Sequence, residues 1–182
     1  MIINKVYVIV ILISSIVFTA LMIGYNSFST KSNQDYFQQS RDSFDSNINS
    51  TINQYEIFSS YIYDTIIDDT VLSLMNQASQ GTELQKDATR DLLYDSLIDN
   101  YNIMVEYNFR QLHFHLPNGD SFLRFHSPDA YGDNLLDVRT AIRIVNTEHI
   151  YVKGFEEGRI YNGYRFVYPL FYHDTYVGSV EI

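Results

Sequence analysis

Residues 111–126 read QLHFHLPNGDSFLRFH. Asn118-Gly119 stands between two alternating runs, and both residues tolerate the positive φ that a two-residue I′ hairpin turn requires. That turn predicts a register: Leu116 opposite Ser121, His115 opposite Phe122, Phe114 opposite Leu123, His113 opposite Arg124 and Leu112 opposite Phe125. Directly opposed strand residues share a face. One face then carries Leu112, Phe114, Leu116, Leu123 and Phe125, and the other Gln111, His113, His115, Phe122, Arg124 and His126. A sheet with one side simply in water would show Lys, Glu and Thr there. Histidines, an arginine and a Phe argue instead for a second, polar and partly buried surface, which becomes the candidate ligand site.

The period changes on either side of the hairpin. Upstream, apolar residues at Phe44, Ile48, Ile52, Tyr55, Phe58, Ile62 and Ile66 recur at helical steps, and no Pro or Gly interrupts from Ser27 to Gln80. This predicts a long helix over 28–80, ended by Gly81. Thr82 and Gln85 form a capping box for a second helix over 83–104. Downstream, a loop through Ser127-Pro128-Asp129 and Tyr131-Gly132-Asp133 leads to a short helix over 135–146. Strands follow around 150–156, 164–172 and 176–182, with turns at Gly158, Asn162-Gly163 and His173-Asp174. Five antiparallel strands with helices before and between them make an α+β fold with its sheet in 108–182. The helix stripe packs on the sheet, and part of it also predicts a homodimer seam.

The amino terminus has a different character. After Lys5, Val6 to Ile23 is uncharged for eighteen residues, with Ser14, Ser15 and Thr19 its polar interruptions. Extended through Tyr25, it makes about 30 Å of helix, the thickness of a hydrocarbon core. Ser27-Phe28-Ser29 is a poor cleavage site, so the segment reads as an uncleaved signal anchor. The expected layout is residues 1–5 in the cytoplasm, 6–25 in the membrane and 26–182 outside, on the positive-inside rule applied to Lys5. The expected location is the cell inner membrane, crossed once, with residues 26–182 in the periplasm or outside the cell.

Composition narrows the partners. Aromatics make up 15% of the 182 residues and apolar residues 46%, which marks a folded chain. The net charge of −10 argues against nucleic acid. The absence of cysteine excludes disulfides and thiolate metal sites. Residues 32–106 hold thirteen acids against Arg41, Lys86 and Arg90, whereas residues 107–182 hold nine acids against six Arg and Lys153. The arginines therefore gather in the sheet half, which suits an anion-handling head.

The run LHFHLPNGDSFLRFHSPDAYGDNL, followed by VRTAIRIVN, GFEEGR, YRFVYPLFY and VGSVEI, resembles the extracytoplasmic Cache sensor domains. More narrowly, it is similar to the double-Cache type of bacterial sensor histidine kinases, diguanylate cyclases and chemoreceptors. The resemblance covers about residues 26–182. It implies a PAS-like sheet with a long N-terminal helix lying against it, a small-molecule pocket over one sheet face, dimerisation through the helix and signalling across the membrane. The chain shows one sheet module where the double type has two. It ends at Ile182 without a second span or output domain, as a fragment of a longer receptor or a shortened member would.

Within the candidate site, Arg124 is the expected carboxylate anchor, because a guanidinium offers two parallel hydrogen bonds that lysine cannot imitate. His126 and Tyr131 are expected as second contacts, with His113, His115, Tyr164 and Tyr168 around the same ligand. Arg139 and Arg143, four apart on one face of the short helix, and Arg159 are read as structural ion pairs; Arg165 is a further candidate. The rival partners for Arg124 are Asp129 and Asp133. No cofactor and no metal is expected, and no GxSxG, HExxH, P-loop or GxGxxG motif speaks for an enzyme. Any catalytic output domain would lie outside this chain. The expected function is an extracytoplasmic sensor for a small polar, carboxylate-bearing ligand. The alternatives are a pilin-like structural subunit, disfavoured by the acid-free apolar run, and a metal-binding module through His113, His115 and His126.

Overall fold

A computed structural model describes residues 2–157 and 162–182. The chain divides into two units, Met1–Thr51 and Ile52–Ile182. The first is helical, being the greater part of α1 (Ile2–Ile66). Among the described residues, this is the one helix long and apolar enough to cross a membrane. Its side chains from Val6 to Ile23 are exposed. Ser14 and Thr19 donate to the carbonyls of Val10 and Ser15, each at 2.9 Å, so their hydroxyls are satisfied inside the helix.

The second unit begins with the end of α1 and continues with α2 (Asp69–Gln80), α3 (Glu83–Glu106), β1 (His113–His115), β2 (Ser121–Arg124), α4 (Thr140–Glu148), β3 (Val152–Glu156), β4 (Gly163–Tyr172) and β5 (Thr175–Glu181). The expected long helix is thus two helices. Asp68 interrupts it: its carboxylate accepts from Val71 N–H at 2.9 Å and caps α2. An aspartate followed by Asp69-Thr70 is a strong N-cap, and it ends one helix by starting another. The capping box of α3 forms as expected, with Thr82 N–H donating to Gln85 Oε1 at 2.8 Å. The short helix starts at Thr140 rather than at 135, because Leu135–Arg139 is taken up by tight turns on the Leu135 carbonyl.

The strands form one antiparallel sheet in the order β2-β1-β5-β4-β3. This is the α+β architecture expected from the sequence. On one face, Leu112, Phe114, Leu123, Phe125, Val180 and Ile182 pack with Met75 and Ala78 of α2 and with Leu93, Leu97, Tyr101 and Met104 of α3. Each large side chain buried there contributes about 1.5–3 kcal/mol. On the other face α4 lays Ala141 and Val145 over Val167, a much smaller apolar contact. Gly178, in the central strand, has φ +135, and a Cβ there would stand 2.1 Å from the His115 carbonyl oxygen. Glycine therefore lets β1 and β5 approach.

The hairpin register holds at His113↔Arg124 and Phe114↔Leu123 but not beyond. His115 pairs with Ser121, leaving Phe122 as the extra residue of a bulge. The turn explains the difference. Gly119 has φ +83 while Asn118 has no positive φ, and Gly119 N–H donates to the Leu116 carbonyl at 2.9 Å. Pro117 occupies the second position, where its fixed φ favours a type I turn, and Gly119 follows in the left-handed region. The loop is therefore longer than a two-residue I′ turn. Phe122, expected on the polar face, belongs to the helix-side core with Arg90 of α3 5.1 Å from its ring. Ser121 takes its place beside the histidines.

Candidate functional site

Alternation along β1, β5 and β4 brings His113, His115, Ser179, Glu181 and Arg165 to the α4 side of the sheet. All five are buried. His113↔Glu181 and His115↔Ser179 are direct cross-strand partners, and the two imidazole centroids lie 4.1 Å apart. His113 Nε2 is 2.8 Å from Ser121 Oγ, and His115 Nδ1 is 3.0 Å from Ser179 Oγ. Arg165 Nη1 donates to Glu181 Oε1 in a short ion pair. The other carboxylate oxygen, Glu181 Oε2, lies 3.9 Å from both His113 Nδ1 and His115 Nε2.

Burial governs the protonation of this cluster. It pushes the His115 imidazole down to about 3 and that of His113 well below its ordinary value, so both are neutral. It pushes the Glu181 carboxyl up, opposed by the Arg165 guanidinium.

Glu156, at the end of β3, extends the network outward. Its Oε1 accepts from Ala141 N–H at 2.7 Å, at the start of α4. Its Oε2 lies 3.6 Å from Arg165 Nε and 3.9 Å from Arg139 Nη1. Glu156 Oε2 and Arg165 Nε are buried, and neither has a hydrogen-bond partner among the described residues. Glu156 also lines a cleft of about 500 Å³ between α4 and β3, together with Val138, Thr140, Ala141, Ile144, Val152 and Gly154.

The expected site residues divide among different surroundings. His113 and His115 lie at the centre of the cluster. Arg124 faces the loop after β2, where it donates to the Ala130 carbonyl at 2.5 Å and meets Asp133 at 2.8 and 2.9 Å; the rival partner named above is the one it has. His126 is exposed in the turn that follows β2. Tyr131 does not turn toward Arg124: its ring stacks under the Arg90 guanidinium at 3.5 Å. Tyr168 lies on the opposite face of the sheet, 2.9 Å from Ser59 Oγ of α1 and stacked on Tyr63 at 4.5 Å. Tyr164 is half-exposed and packs on Phe166. The period of two separates Tyr164 and Tyr168 from Arg165, so they do not surround one ligand with it. Arg139 pairs with Glu156, as expected of a structural arginine, but it precedes α4 as its N-cap, and Arg143 is exposed. Arg159 and the Gly158 turn lie outside the described residues.

Sequence reasoning missed Glu181 and Ser179, and took Glu156 only as one acid available to pair with the arginines, which it does with Arg139 and Arg165. The signal for the first two was present: in VGSVEI, Ser179 and Glu181 alternate with Val180 and Ile182, placing an acid and a hydroxyl on one side of a terminal strand.

The model of the family described as the double sensory domain of two-component sensor kinases, dCache_3, matches residues 69–182, more than half of the chain. The chain belongs to this Cache family. The match covers α2, α3, the whole sheet and α4, and therefore every residue of the buried polar cluster. A Cache domain of this kind is a sensory, signal-transducing input domain, as its residues suggested. No curated protein matches the sequence. Among solved structures, a domain of a protein assigned to the sensory box/GGDEF family, from Vibrio parahaemolyticus, is similar at 11% identity with a TM-score of 0.34. The likeness covers 72% of this chain and 57% of that one, so the chain spans little more than half of its length.

Proposed function

We propose that the chain is the extracytoplasmic input domain of a single-pass receptor in the inner membrane, sensing a small polar ligand on the α4 side of the sheet. Residues 1–5 stay in the cytoplasm, 6–25 form the anchor and 26–182 lie in the periplasm or outside the cell. The observation that carries the ligand reading is the cleft lined by Glu156, whose Oε2 meets Arg165 Nε at 3.6 Å and Arg139 Nη1 at 3.9 Å but has no hydrogen bond among the described residues. The cleft volume falls in the range of small-molecule sites, roughly 300–1,000 Å³. A carboxylate and a guanidinium held just beyond hydrogen-bond distance of each other suit a ligand with an amine and a carboxylate, such as a small amino acid. Arg124 would take the carboxylate only by exchanging Asp133 for it. The ligand signals through differential affinity for two states of the domain.

Thermal-shift measurements on the detergent-solubilised chain, against a panel of carboxylates, amines and zwitterions, test the reading. A zwitterion or carboxylate is expected to raise Tm, and Glu156→Gln to reduce that rise. A panel in which nothing raises Tm overturns it. Topology is tested by a C-terminal reporter active only in the cytoplasm, which is expected to stay silent. The receptor is also expected to dimerise through α1, on which Phe44, Ile48 and Phe58 are exposed. Cysteines introduced along α1 should then crosslink with helical periodicity, and crosslinking without it removes the dimer.

A further inference from the structure

The buried cluster contains an arrangement that the sensor reading does not use. Atoms of His113, His115 and Glu181 able to ligate a cation lie within 4.8 Å of one another, and all three residues are buried.

The proton positions follow from the hydrogen bonds. The Leu116 carbonyl can only accept, so Asn146 Nδ2 is the atom 3.0 Å from it, and Asn146 Oδ1 faces Ser179 Oγ at 3.0 Å. The single proton of Ser179 therefore goes to Asn146, since the opposite choice sets two oxygens face to face with nothing between them. Ser179 Oγ then accepts from His115 Nδ1–H. This makes His115 the Nδ1–H tautomer and leaves a bare lone pair on Nε2. That atom is buried without a hydrogen-bond partner among the described residues, and it faces Glu181 Oε2 at 3.9 Å. Two electron-rich atoms at that separation are too far apart to share a proton directly.

We infer that His113 Nδ1, His115 Nε2 and Glu181 Oε2 form a three-ligand site for a divalent first-row transition-metal ion of zinc type. Neutral imidazoles and one carboxylate are the donor set such ions take, with a fourth position left to water. Ligands about 2.0–2.2 Å from a tetrahedral ion stand about 3.4 Å apart, so the two 3.9 Å gaps to Glu181 need to close by about half an ångström, and the gap between the imidazoles, within 4.8 Å, by up to about 1.4 Å. The supporting partners are already in place. Ser179 holds His115 Nδ1, Ser121 holds His113 Nε2, and Arg165 holds Glu181 Oε1, turning Oε2 toward the rings. Arg124, Arg139 and Arg165 are balanced by Asp133, Glu156 and Glu181, so the ion's charge is uncompensated and affinity is expected in the micromolar rather than the nanomolar range. His126, the third histidine expected from the sequence, is exposed and takes no part. The site stands independently of the organic ligand proposed above.

The test is titration of the detergent-solubilised, chelator-treated chain with Co²⁺, followed by displacement with Zn²⁺. One equivalent of Co²⁺ should give the intense visible absorption of a four- or five-coordinate ion, removed by Zn²⁺. His115→Gln and Glu181→Gln should each weaken Co²⁺ binding at least tenfold, while His126→Gln leaves it unchanged. The wild-type titration decides by itself if a variant fails to fold: no stoichiometric binding, or only the weak six-coordinate spectrum of exposed side chains, overturns the site. Binding that survives His115→Gln, or is lost in His126→Gln, overturns the assignment of ligands.

Discussion

The two faces of the sheet are both covered and are built on opposite principles. Toward α2 and α3 the sheet presents Leu112, Phe114, Phe125 and Val180 to an apolar core. Toward α4 the same strands present His113, His115, Arg165 and Glu181, equally buried. The first face gains free energy from every side chain it removes from water. The second loses hydration on each and recovers it only through pairing, which makes burial there costly unless geometry holds. A fold needs the first kind of face for stability. The second kind is where a small change in charge or occupancy changes the molecule most, and this suits an input domain.

The largest effects should separate the faces. Phe114→Ala, on the apolar side, is expected to cost about 3–5 kcal/mol through the cavity it leaves. Glu181→Leu should cost a similar amount, about 3–5 kcal/mol, because Arg165 is left buried without its partner. The difference lies in rescue. Arg165→Met together with Glu181→Leu should regain most of the loss, whereas no second substitution of this kind refills the Phe114 cavity. Denaturant unfolding of the wild type, Arg165→Met, Glu181→Leu and their double variant gives the coupling directly. If Glu181→Leu alone costs less than about 1 kcal/mol, the polar face is not held by this pair and the contrast fails.

Acid should distinguish the faces next. His113 and His115 are held below their ordinary pKa of 6.5 in the folded chain, the latter at about 3. The unfolded chain therefore binds more protons as pH falls below about 6.5, so stability is full above that pH and declines through the acid range. Each histidine contributes up to about 1.4 kcal/mol per pH unit below its unfolded pKa. Glu181 works against this at lower pH: its raised pKa makes the folded carboxyl bind a proton before the unfolded one does. Unfolding measured at pH 7, 6 and 5 should show the decline, and His115→Gln should reduce its slope. A slope unchanged in that variant would show that His115 does not drive it.

Most of the architecture was legible in the sequence because one face of each element is apolar and periodic. The strands and the apolar side of the hairpin follow from that rule alone, and the start of α3 from the Thr82–Gln85 capping box. The breaks in periodicity were harder to see. Asp68 ended α1 by capping α2, a local hydrogen bond that outweighs an uninterrupted apolar stripe. Pro117 displaced the I′ turn and, through one extra residue, exchanged Phe122 for Ser121 beside His115. In the site, His113 and His115 were readable because they share a strand with the hairpin. Their partners were not, since Glu181 is sixty-six residues from His115 and meets it only through the β1–β5 pairing. Register between distant strands is a tertiary fact, and the sequence carries it only as a weak alternation in VGSVEI.

Arg124 offers the smallest effect and the sharpest question about where the polar face ends. It lies opposite His113, yet its side chain turns to the loop, donating to the Ala130 carbonyl and to Asp133 Oδ2, with Asp133 Oδ1 2.8 Å from Nη1. Asp133 is 57% exposed on its side chain, so the pair belongs to the water-facing rim rather than the enclosed network. Pairs of that kind contribute about 0–1 kcal/mol. Arg124→Lys keeps the charge and removes the fork, and is therefore expected to lower stability by less than about 1 kcal/mol. If Arg124 only fastens the loop, ligands found by thermal shift should bind this variant as they bind the wild type. If it anchors a ligand carboxylate that takes Asp133's place, binding should weaken by about 1–3 kcal/mol while the fold survives. Measuring both quantities on the same variant tells the two roles apart: loss of stability without loss of binding confines the sensing surface to the cleft at Glu156, and loss of binding alone extends it across β1 to the loop.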